Sequence, residues 1–242
     1  MHEWRDTIAM ANRESLAPEE WYHVYNRGVD KRTVFLDAHD YARFLILMHF
    51  ATHSQNAPLH ASEIKDKTVA SVLLDVSIDL SEPIVTIGSY CLMPNHVHIA
   101  LKATKDGGIS LFMQRLFTGY TMYFNKKYHR TGALFAGTFK SKHVANDRYF
   151  KYLTSYIHLN PAELFEPQWK EGVVTNMSNL KKQLLNYKYS SLLEYLKIKR
   201  PENALIDNAV FKLFDEKEKP TLKEMLREAS EYYQEYFKSS QG

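Results

Sequence analysis

Apolar and polar side chains follow strand-like or helix-like spacing in successive parts of the chain. Residues 21–25 (Trp-Tyr-His-Val-Tyr) are rich in the aromatic and β-branched side chains typical of a strand, and the following Asn-Arg-Gly predicts a turn. Polar residues at 37–40 can cap a helix whose apolar positions, from Tyr41 to Met48, recur at helical spacing. Residues from about 51 to 68 are polar and irregular, which predicts a loop or insertion.

The middle of the chain continues this alternation. Residues 69–80 can hold a further strand, and 83–101 contain two apolar segments that Met93-Pro-Asn95 separates into adjacent strands. A helix opens at 107–110, and 132–144 reads as an extended aromatic segment. The next helix starts at Asn146 and stops at Asn160, because proline disfavours helical geometry in the residue before it.

This element order predicts a fold class. Strand–helix–strand–strand–helix–strand fits an α+β sandwich in which helices pack on one face of an antiparallel sheet. Beyond residue 165 the chain becomes helical and charged. We therefore expect one domain over residues 1–165 and a helical C-terminal extension over 166–242.

Composition excludes several classes of protein. Of the 242 residues 45% are hydrophobic and 24% charged, which is typical of a globular protein and not of a disordered or fibrous one. A single cysteine, Cys91, excludes an internal disulfide and a cysteine-built zinc site. No apolar run approaches the roughly 18 residues of a membrane span, so we expect a soluble protein of a reducing compartment, with no membrane partner.

The distribution of charge says more than the net charge of +3. Ten Lys and Arg against two Asp between residues 102 and 151 give that stretch a charge of +8. A stretch this basic suits a polyanionic partner, and interleaved aromatics such as Tyr120 and Phe124 favour nucleic acid as that partner. A solvated basic face without a ligand is an equal alternative. The basic candidates for DNA contact in this stretch are Arg115, Lys126, Lys127, Arg130, Lys140 and Lys142.

Two histidines lie one residue apart in an apolar strand. Side chains alternate along a strand, so His96 and His98 point to one face while Val97 and Ile99 point to the other. Two adjacent imidazoles suit a divalent cation with positions left open for substrate oxygen and water. Two polar residues on a solvated face are the alternative. The chain is too short, and His96 too late, for an eight-stranded barrel hydrolase.

The helix after residue 146 carries a candidate nucleophile. Tyr156 and Asn160 are four residues apart, so the phenol and the amide oxygen can approach one point. A phenol there could attack a phosphate held by a metal, with Asn160 as a third, oxygen ligand. Core packing of the tyrosine and helix termination by the asparagine are the alternative interpretation.

Four motifs in this order resemble the REP-associated tyrosine transposases, which belong to the single-tyrosine HUH transposase superfamily. The motifs are Tyr22-His-Val-Tyr-Asn-Arg-Gly28, Met93-Pro-Asn-His-Val-His98, Gly132-Ala-Leu-Phe-Ala-Gly-Thr-Phe-Lys140 and Tyr156-Ile-His-Leu-Asn-Pro161. The resemblance runs from about residue 18 to 165. In addition, Tyr187-Lys-Tyr-Ser-Ser191 is similar to a C-terminal segment of that family.

The resemblance implies a ferredoxin-like domain that cuts and rejoins single-stranded or hairpin DNA, acting in the bacterial cytoplasm at the nucleoid. It implies His96 and His98 as metal ligands, Asn160 as the third, and Mg²⁺ or Mn²⁺ as the cation. Tyr156 would form a 5′-phosphotyrosine bond and leave a free 3′-hydroxyl. Arg27, Lys31 and Arg32 would contact DNA. Members act as monomers or as homodimers, and the sequence leaves both open.

Two other functions stay open at this point. A domesticated protein could bind DNA hairpins without cutting them, keeping the fold but not the reaction. A metal-dependent phosphoesterase acting on a small molecule is a second alternative, for which His129-Arg-Thr131 would supply a second histidine motif. The charge of +8 between residues 102 and 151 disfavours the phosphoesterase.

Overall fold

A four-stranded antiparallel sheet forms the centre of the structure. The computed structural model describes residues 16–53, 67–75, 82–214 and 221–237. The strands are β1 (Trp21–Arg27), β2 (Val85–Met93), β3 (His96–Ala103) and β4 (Lys140–Val144), in the order β2-β3-β1-β4. Each neighbouring pair is antiparallel. This strand order, with helices between the strands, confirms the predicted α+β, ferredoxin-like fold.

Two helices cover one face of the sheet. They are α1 (Ala38–Ala51) and α3 (Gly108–Lys127). Strand alternation sends Val24, Val97 and Ile99 to this face, where they are fully buried in one apolar core with both helices. This half of the structure is the predicted sandwich.

Helices also cover the opposite face, which carries His96 and His98. There α4 (Asp147–Leu159) packs on the sheet, and α7 (Leu222–Tyr232) packs on α4. Ala100 on β3 joins Leu153 and Ile157 of α4 in a second core. The arrangement expected on one face is thus accompanied by a second helical layer on the other.

The extension beyond residue 165 packs closely on the sheet. It contains α5 (Met177–Asn186), α6 (Leu192–Tyr195) and α7. Tyr187–Ser191 runs along β2: the Leu92 amide donates to the Tyr189 carbonyl at 2.9 Å, and the Ser191 amide to the Tyr90 carbonyl at 3.0 Å. The Ser191 hydroxyl lies 2.9 Å from His158 Nε2. A domain boundary at residue 165 stays a prediction.

Helix caps agree with the sequence pattern at the main helices. Asp37 accepts from the amides of His39 and Asp40 at the start of α1, and Asn146 caps α4. Asn160 follows the last residue of α4, as predicted. Among the described residues, no helix is long and apolar enough to cross a membrane.

Two local predictions are corrected. The strand expected over 69–80 is wrong at its start, where Thr68 caps a short helix, α2 (Val69–Leu73); residues 76–80 lie outside the described residues. The extended segment 132–144 is a strand only from Lys140 onward. The loop expected over 51–68 falls mostly on residues 54–66, which lie outside the described part of the chain.

Gly28 ends β1 where backbone segments approach closely, and we expect Gly28→Ala to destabilise the protein. A Cβ at this position would lie 2.3 Å from the Arg32 carbonyl oxygen and 2.8 Å from a Val34 methyl. Overpacking of this kind costs about 1–3 kcal/mol of unfolding free energy, which urea denaturation would measure.

Gly119→Ala is the matched control for this prediction. A Cβ on Gly119 of α3 would meet only Leu47 methyls, at 3.4 and 3.7 Å. Because alanine is the better helix former by about 1 kcal/mol, this variant should be at least as stable as the wild type. Equal stabilities for the two variants would contradict the proposed close approach at Gly28.

Candidate active site

The face that carries the two histidines contains a cleft of about 470 Å³. His96 and His98 lie in it on β3 with their ring centroids 4.9 Å apart, and both are buried. Tyr156 of α4 lines the same cleft, with its ring 5.6 Å from that of His98. The structure thus places the predicted nucleophile beside the predicted metal ligands in one chain.

Tyr156 is enclosed by the extension as well as by the sheet. Only 1% of its surface is exposed, and its ring lies 5.3 Å from Tyr232 and 6.3 Å from Tyr233. Burial raises the pKa of Tyr156 well above the ordinary 10.0, and the neighbouring Tyr232 and Glu163 raise it further. The phenol is therefore neutral at physiological pH in the structure as it stands.

Asn160 supplies an unsatisfied oxygen to this site. It is fully buried, and its Nδ2 donates to the Tyr156 carbonyl at 2.8 Å. Its Oδ1 is also buried but accepts no hydrogen bond. A buried carbonyl oxygen without a partner carries a desolvation cost, and a cation would remove that cost.

Asn95 fixes the tautomer of His96. The Nδ2 of Asn95 donates to the Lys31 carbonyl at 3.3 Å, so its Oδ1 faces His96 Nδ1 at 2.6 Å. Because an amide oxygen can only accept, His96 must carry its hydrogen on Nδ1. The lone pair then resides on Nε2, which is the arrangement that a metal-binding histidine with an outer hydrogen-bond partner adopts.

The cleft holds neutral imidazoles within a cationic rim. Burial lowers the pKa of His96 to about 4, with the charge of Arg27 as the next cause. Burial also lowers the pKa of His98 well below 6.5, and the charge of Lys170 adds to this at both histidines. Arg27 and Lys140 line the cleft, as does Lys170, which is paired there with Glu163. Neutral histidines suit metal ligation, and the cations suit a phosphate.

The donor set of this site is unusual in composition. Among the described residues, no group of three or more His, Cys, Asp or Glu side chains is arranged to hold a metal ion. Two imidazoles and one amide oxygen would instead have to do so, with the remaining positions filled by substrate and water. The tautomer of His96 and the unsatisfied oxygen of Asn160 fit such a set.

The predicted DNA contacts separate into two groups. Arg27 and Lys140 line the cleft, and Lys142 lies opposite His23 in the β1–β4 pair. Lys31 and Arg32 lie in the turn after β1, next to Asn95. The other four lie on α3 or in the loop that follows it, across the sheet from the histidines: Arg115, Lys126, Lys127 and Arg130.

Two of this second group are engaged with distant segments of the protein, and Arg130 donates locally to Asn125 Oδ1 at 2.8 Å. The ammonium of Lys127 forms ion pairs with Asp37 and Asp40, each at 2.7 Å, and Asp40 is fully buried. Arg115 donates to the His53 carbonyl at 2.7 Å. Counting charges along the sequence could not reveal these partners, because they come from distant segments of the chain.

Further residues reach the site without having been singled out from the sequence. Glu163 and Lys170 line the cleft and form an ion pair at 2.8 Å. His23 of β1 contacts His98, with Nε2 2.8 Å from Nδ1. Alternation along β1 could have placed His23 on the histidine face once β1 was paired with β3. Nothing local to the sequence marks Lys170, whose position depends on the turn Trp169–Glu171.

Comparisons with known proteins agree with the motifs. A family described as IS200-like transposases matches residues 61–160, which include both histidines, Tyr156 and Asn160. Among solved structures, a REP-associated tyrosine transposase bound to a REP hairpin aligns at 14% identity and a TM-score of 0.43, covering 84% of this chain and 90% of that chain. No curated protein matches. The family match agrees with the resemblance stated from the sequence motifs.

Removing the positive charge of Lys170 should make the site histidines easier to protonate. In Lys170→Met the ammonium that opposes imidazolium formation is lost, and the Glu163 carboxylate loses its partner. We therefore expect the pKa of His96 to rise above about 4 and that of His98 to rise with it. NMR titration of labelled histidines measures both.

Lys182→Met removes an exposed lysine of α5, outside the cleft, and serves as the control for this titration. It should leave both pKa values unchanged. Unchanged values in Lys170→Met would show that its charge does not act on the cleft.

Proposed function

Because residues 61–160 match the IS200-like transposases, we propose that this protein is a metal-dependent single-strand DNA endonuclease and strand transferase. Its substrate would be hairpin-forming repeat DNA, and Tyr156 would be the nucleophile. The observation that carries the proposal is the meeting of Tyr156 with His96 and His98 in one cleft. Tyr156 lies on a helix and the histidines on a strand, and Tyr156 is more than fifty positions beyond either histidine in the sequence.

A divalent cation, Mg²⁺ or Mn²⁺, would be held by Nε2 of His96, by His98 and by Oδ1 of Asn160. Support comes from the tautomer that Asn95 imposes on His96 and from the buried Asn160 oxygen that accepts no hydrogen bond. When bound, such a cation supplies charge neutralisation for a phosphate and for a phenolate. That contribution is needed here, since burial holds the pKa of Tyr156 well above 10.0.

The chain's own residues would position and cleave the strand. Arg27 and Lys140 would hold phosphate oxygens at the rim of the cleft, with Lys142, Lys31 and Arg32 contacting the DNA on either side. The Tyr156 oxygen would attack the phosphorus, breaking the bond to the 3′ oxygen. The phenolic proton would pass to solvent, and the departing 3′ oxygen would take up a proton from solvent to become a free hydroxyl. Attack by another 3′-hydroxyl on the phosphotyrosine would rejoin the strands.

The α3 surface would contribute less to this interface. Lys127 is neutralised by Asp37 and Asp40, and Arg115 donates to the His53 carbonyl just after α1. Lys126 and Arg130 would contact only DNA that extends around the sheet to its other face. We therefore assign the main phosphate contacts to the cleft side of the protein.

The second candidate function is hairpin binding without cleavage. It is favoured by one observation, the near-complete burial of Tyr156 under Tyr232 and Tyr233. A nucleophile must reach its phosphate, whereas a binding protein has no such requirement. The two functions predict different outcomes with the same oligonucleotide.

Incubation with a hairpin oligonucleotide that carries single-stranded flanks, in the presence of Mg²⁺, should give a covalent protein–DNA adduct on a denaturing gel. Tyr156→Phe should give none, because it lacks the attacking oxygen. His96→Ala with His98→Ala should reduce adduct formation by about 100-fold or more, in line with the loss of an oxyanion-stabilising group.

Tyr149→Phe, on the same helix but outside the cleft, is the matched control and should form the adduct at the wild-type rate. An adduct with Tyr156→Phe would remove the catalytic assignment. Tight hairpin binding by the wild type without any adduct would establish the non-catalytic alternative.

Neutralising the rim should weaken DNA binding in a salt-dependent way. Affinity falls as salt rises, so the slope of log affinity against log salt is negative. For the double variant Arg27→Met/Lys140→Met, each lost phosphate contact should reduce the steepness of this slope by about 0.7 to 0.9. Fluorescence anisotropy with the same hairpin measures this slope. Lys182→Met should bind as the wild type does, and an unchanged slope in the double variant would place the DNA elsewhere.

A further inference from the structure

A chain of three buried side chains runs from the C-terminal extension to the metal-binding face. The Tyr232 hydroxyl of α7 lies 3.0 Å from His23 Nδ1, and His23 Nε2 lies 2.8 Å from His98 Nδ1. No more than 2% of the surface of His23 and of Tyr232 is exposed, and 3% of that of His98. No step of the proposed cleavage uses His23 or Tyr232.

The hydrogens of these three side chains can be arranged in two ways. In the first, His98 donates from Nδ1 to His23 Nε2, and His23 donates from Nδ1 to the Tyr232 oxygen. In the second, Tyr232 donates to His23 Nδ1, and His23 donates from Nε2 to His98 Nδ1. The lone pair on His98 Nε2 exists only in the first arrangement, because a neutral imidazole carries one hydrogen.

We infer that His23 is a positioning residue that holds His98 with its hydrogen on Nδ1 and its Nε2 lone pair toward the cleft, and that Tyr232 holds His23 in turn. The inference rests on the proposed function, since it concerns how the cation site of that function is prepared. It assigns to His23 and Tyr232 the role that Asn95 has at His96. Both imidazoles would then present Nε2 to the same point.

The geometry at His96 favours the first arrangement at His98. Asn95 can only accept from His96, so one of the two histidines already presents Nε2. The two imidazole rings lie 4.9 Å apart on the same strand face. Because Nδ1 of His98 contacts His23, only Nε2 of that ring can bind a cation, and it has a lone pair only if His23 accepts the hydrogen bond from His98.

These hydrogen bonds also connect the C-terminal extension to the candidate metal site. Tyr232 is the last residue of α7, which packs on α4, while His23 and His98 come from adjacent strands. The orientation of His98 thus depends on a residue more than 130 positions later in the sequence. A cation site that looks complete from β3 and α4 alone would be prepared in part by the C-terminal helix.

The test uses the full-length protein and two readouts that do not depend on cleavage. The first is the ¹⁵N chemical shifts of His98 in the metal-free protein, which report which nitrogen carries hydrogen. The second is the affinity for Mn²⁺ without DNA. We expect hydrogen on Nδ1 of His98 in the wild type. In His23→Phe we expect loss of that tautomer and Mn²⁺ affinity lower by about 10- to 100-fold.

His23→Gln is the conservative variant, because its amide oxygen can accept from His98 as Asn95 does from His96. It should restore most of the Mn²⁺ affinity lost in His23→Phe. Tyr232→Phe keeps the ring and removes only the hydroxyl that contacts His23. It should therefore weaken Mn²⁺ binding by a smaller factor than His23→Phe does. Tyr195→Phe removes a hydroxyl that donates to the Gly88 carbonyl away from the cleft, and it should change neither readout.

The outcomes separate this inference from the proposed function. Hydrogen on Nε2 of His98 in the metal-free wild type, or Mn²⁺ affinity unchanged in both His23→Phe and Tyr232→Phe, would overturn it while leaving cleavage by Tyr156 intact. If His23→Phe does not fold, Tyr232→Phe decides. A wild type that neither binds Mn²⁺ nor forms an adduct would remove the proposed function, and the His98 shifts would still test the positioning role.

Discussion

The packing of α4 on the histidine-bearing face of the sheet is the contact on which the whole site depends. Leu153 and Ile157 are buried in one apolar cluster with Ala100 of β3, and this fixes which side of the helix faces the sheet. Tyr156 and Asn160 then necessarily lie over His98 and His96. A helix turns by about 100° per residue, so a shift of one position along α4 would carry the phenol out of the cleft.

The extension continues this packing and is part of the same core. Ala229 and Tyr232 of α7 lie with the α4 residues in one apolar cluster, while residues 187–191 run along the edge of β2. Removing the extension would therefore expose Tyr156 and leave His23 without one of its partners. The residues of the cleft thus come from both sides of the predicted boundary at 165.

Burial has opposite consequences for the two kinds of group in the cleft. It holds the histidines neutral, which leaves their lone pairs available to a cation at physiological pH. It also holds the phenol of Tyr156 neutral, which opposes its use as a nucleophile. Arg27 and Lys140 bring positive charge to the same place, whereas Lys170 is paired there with Glu163. Under the proposed function, the cleft would bind an anionic substrate, and Tyr156 would need the positive charge of a bound cation to become a nucleophile.

The local sequence determined the relative positions of side chains that lie on the same strand or the same helix, because the backbone geometry repeats there. The two-residue period of a strand put His96 and His98 on one face, and the helical period put Tyr156 one turn from Asn160. Local periodicity failed at α2, because a five-residue apolar segment fits a helix as well as a strand. Only the tertiary structure decided that Lys127 is neutralised by Asp37 and Asp40, that Lys170 joins the cleft, and that His23 contacts His98. These contacts join segments that are distant in sequence, and their formation depends on how whole elements pack rather than on any local spacing.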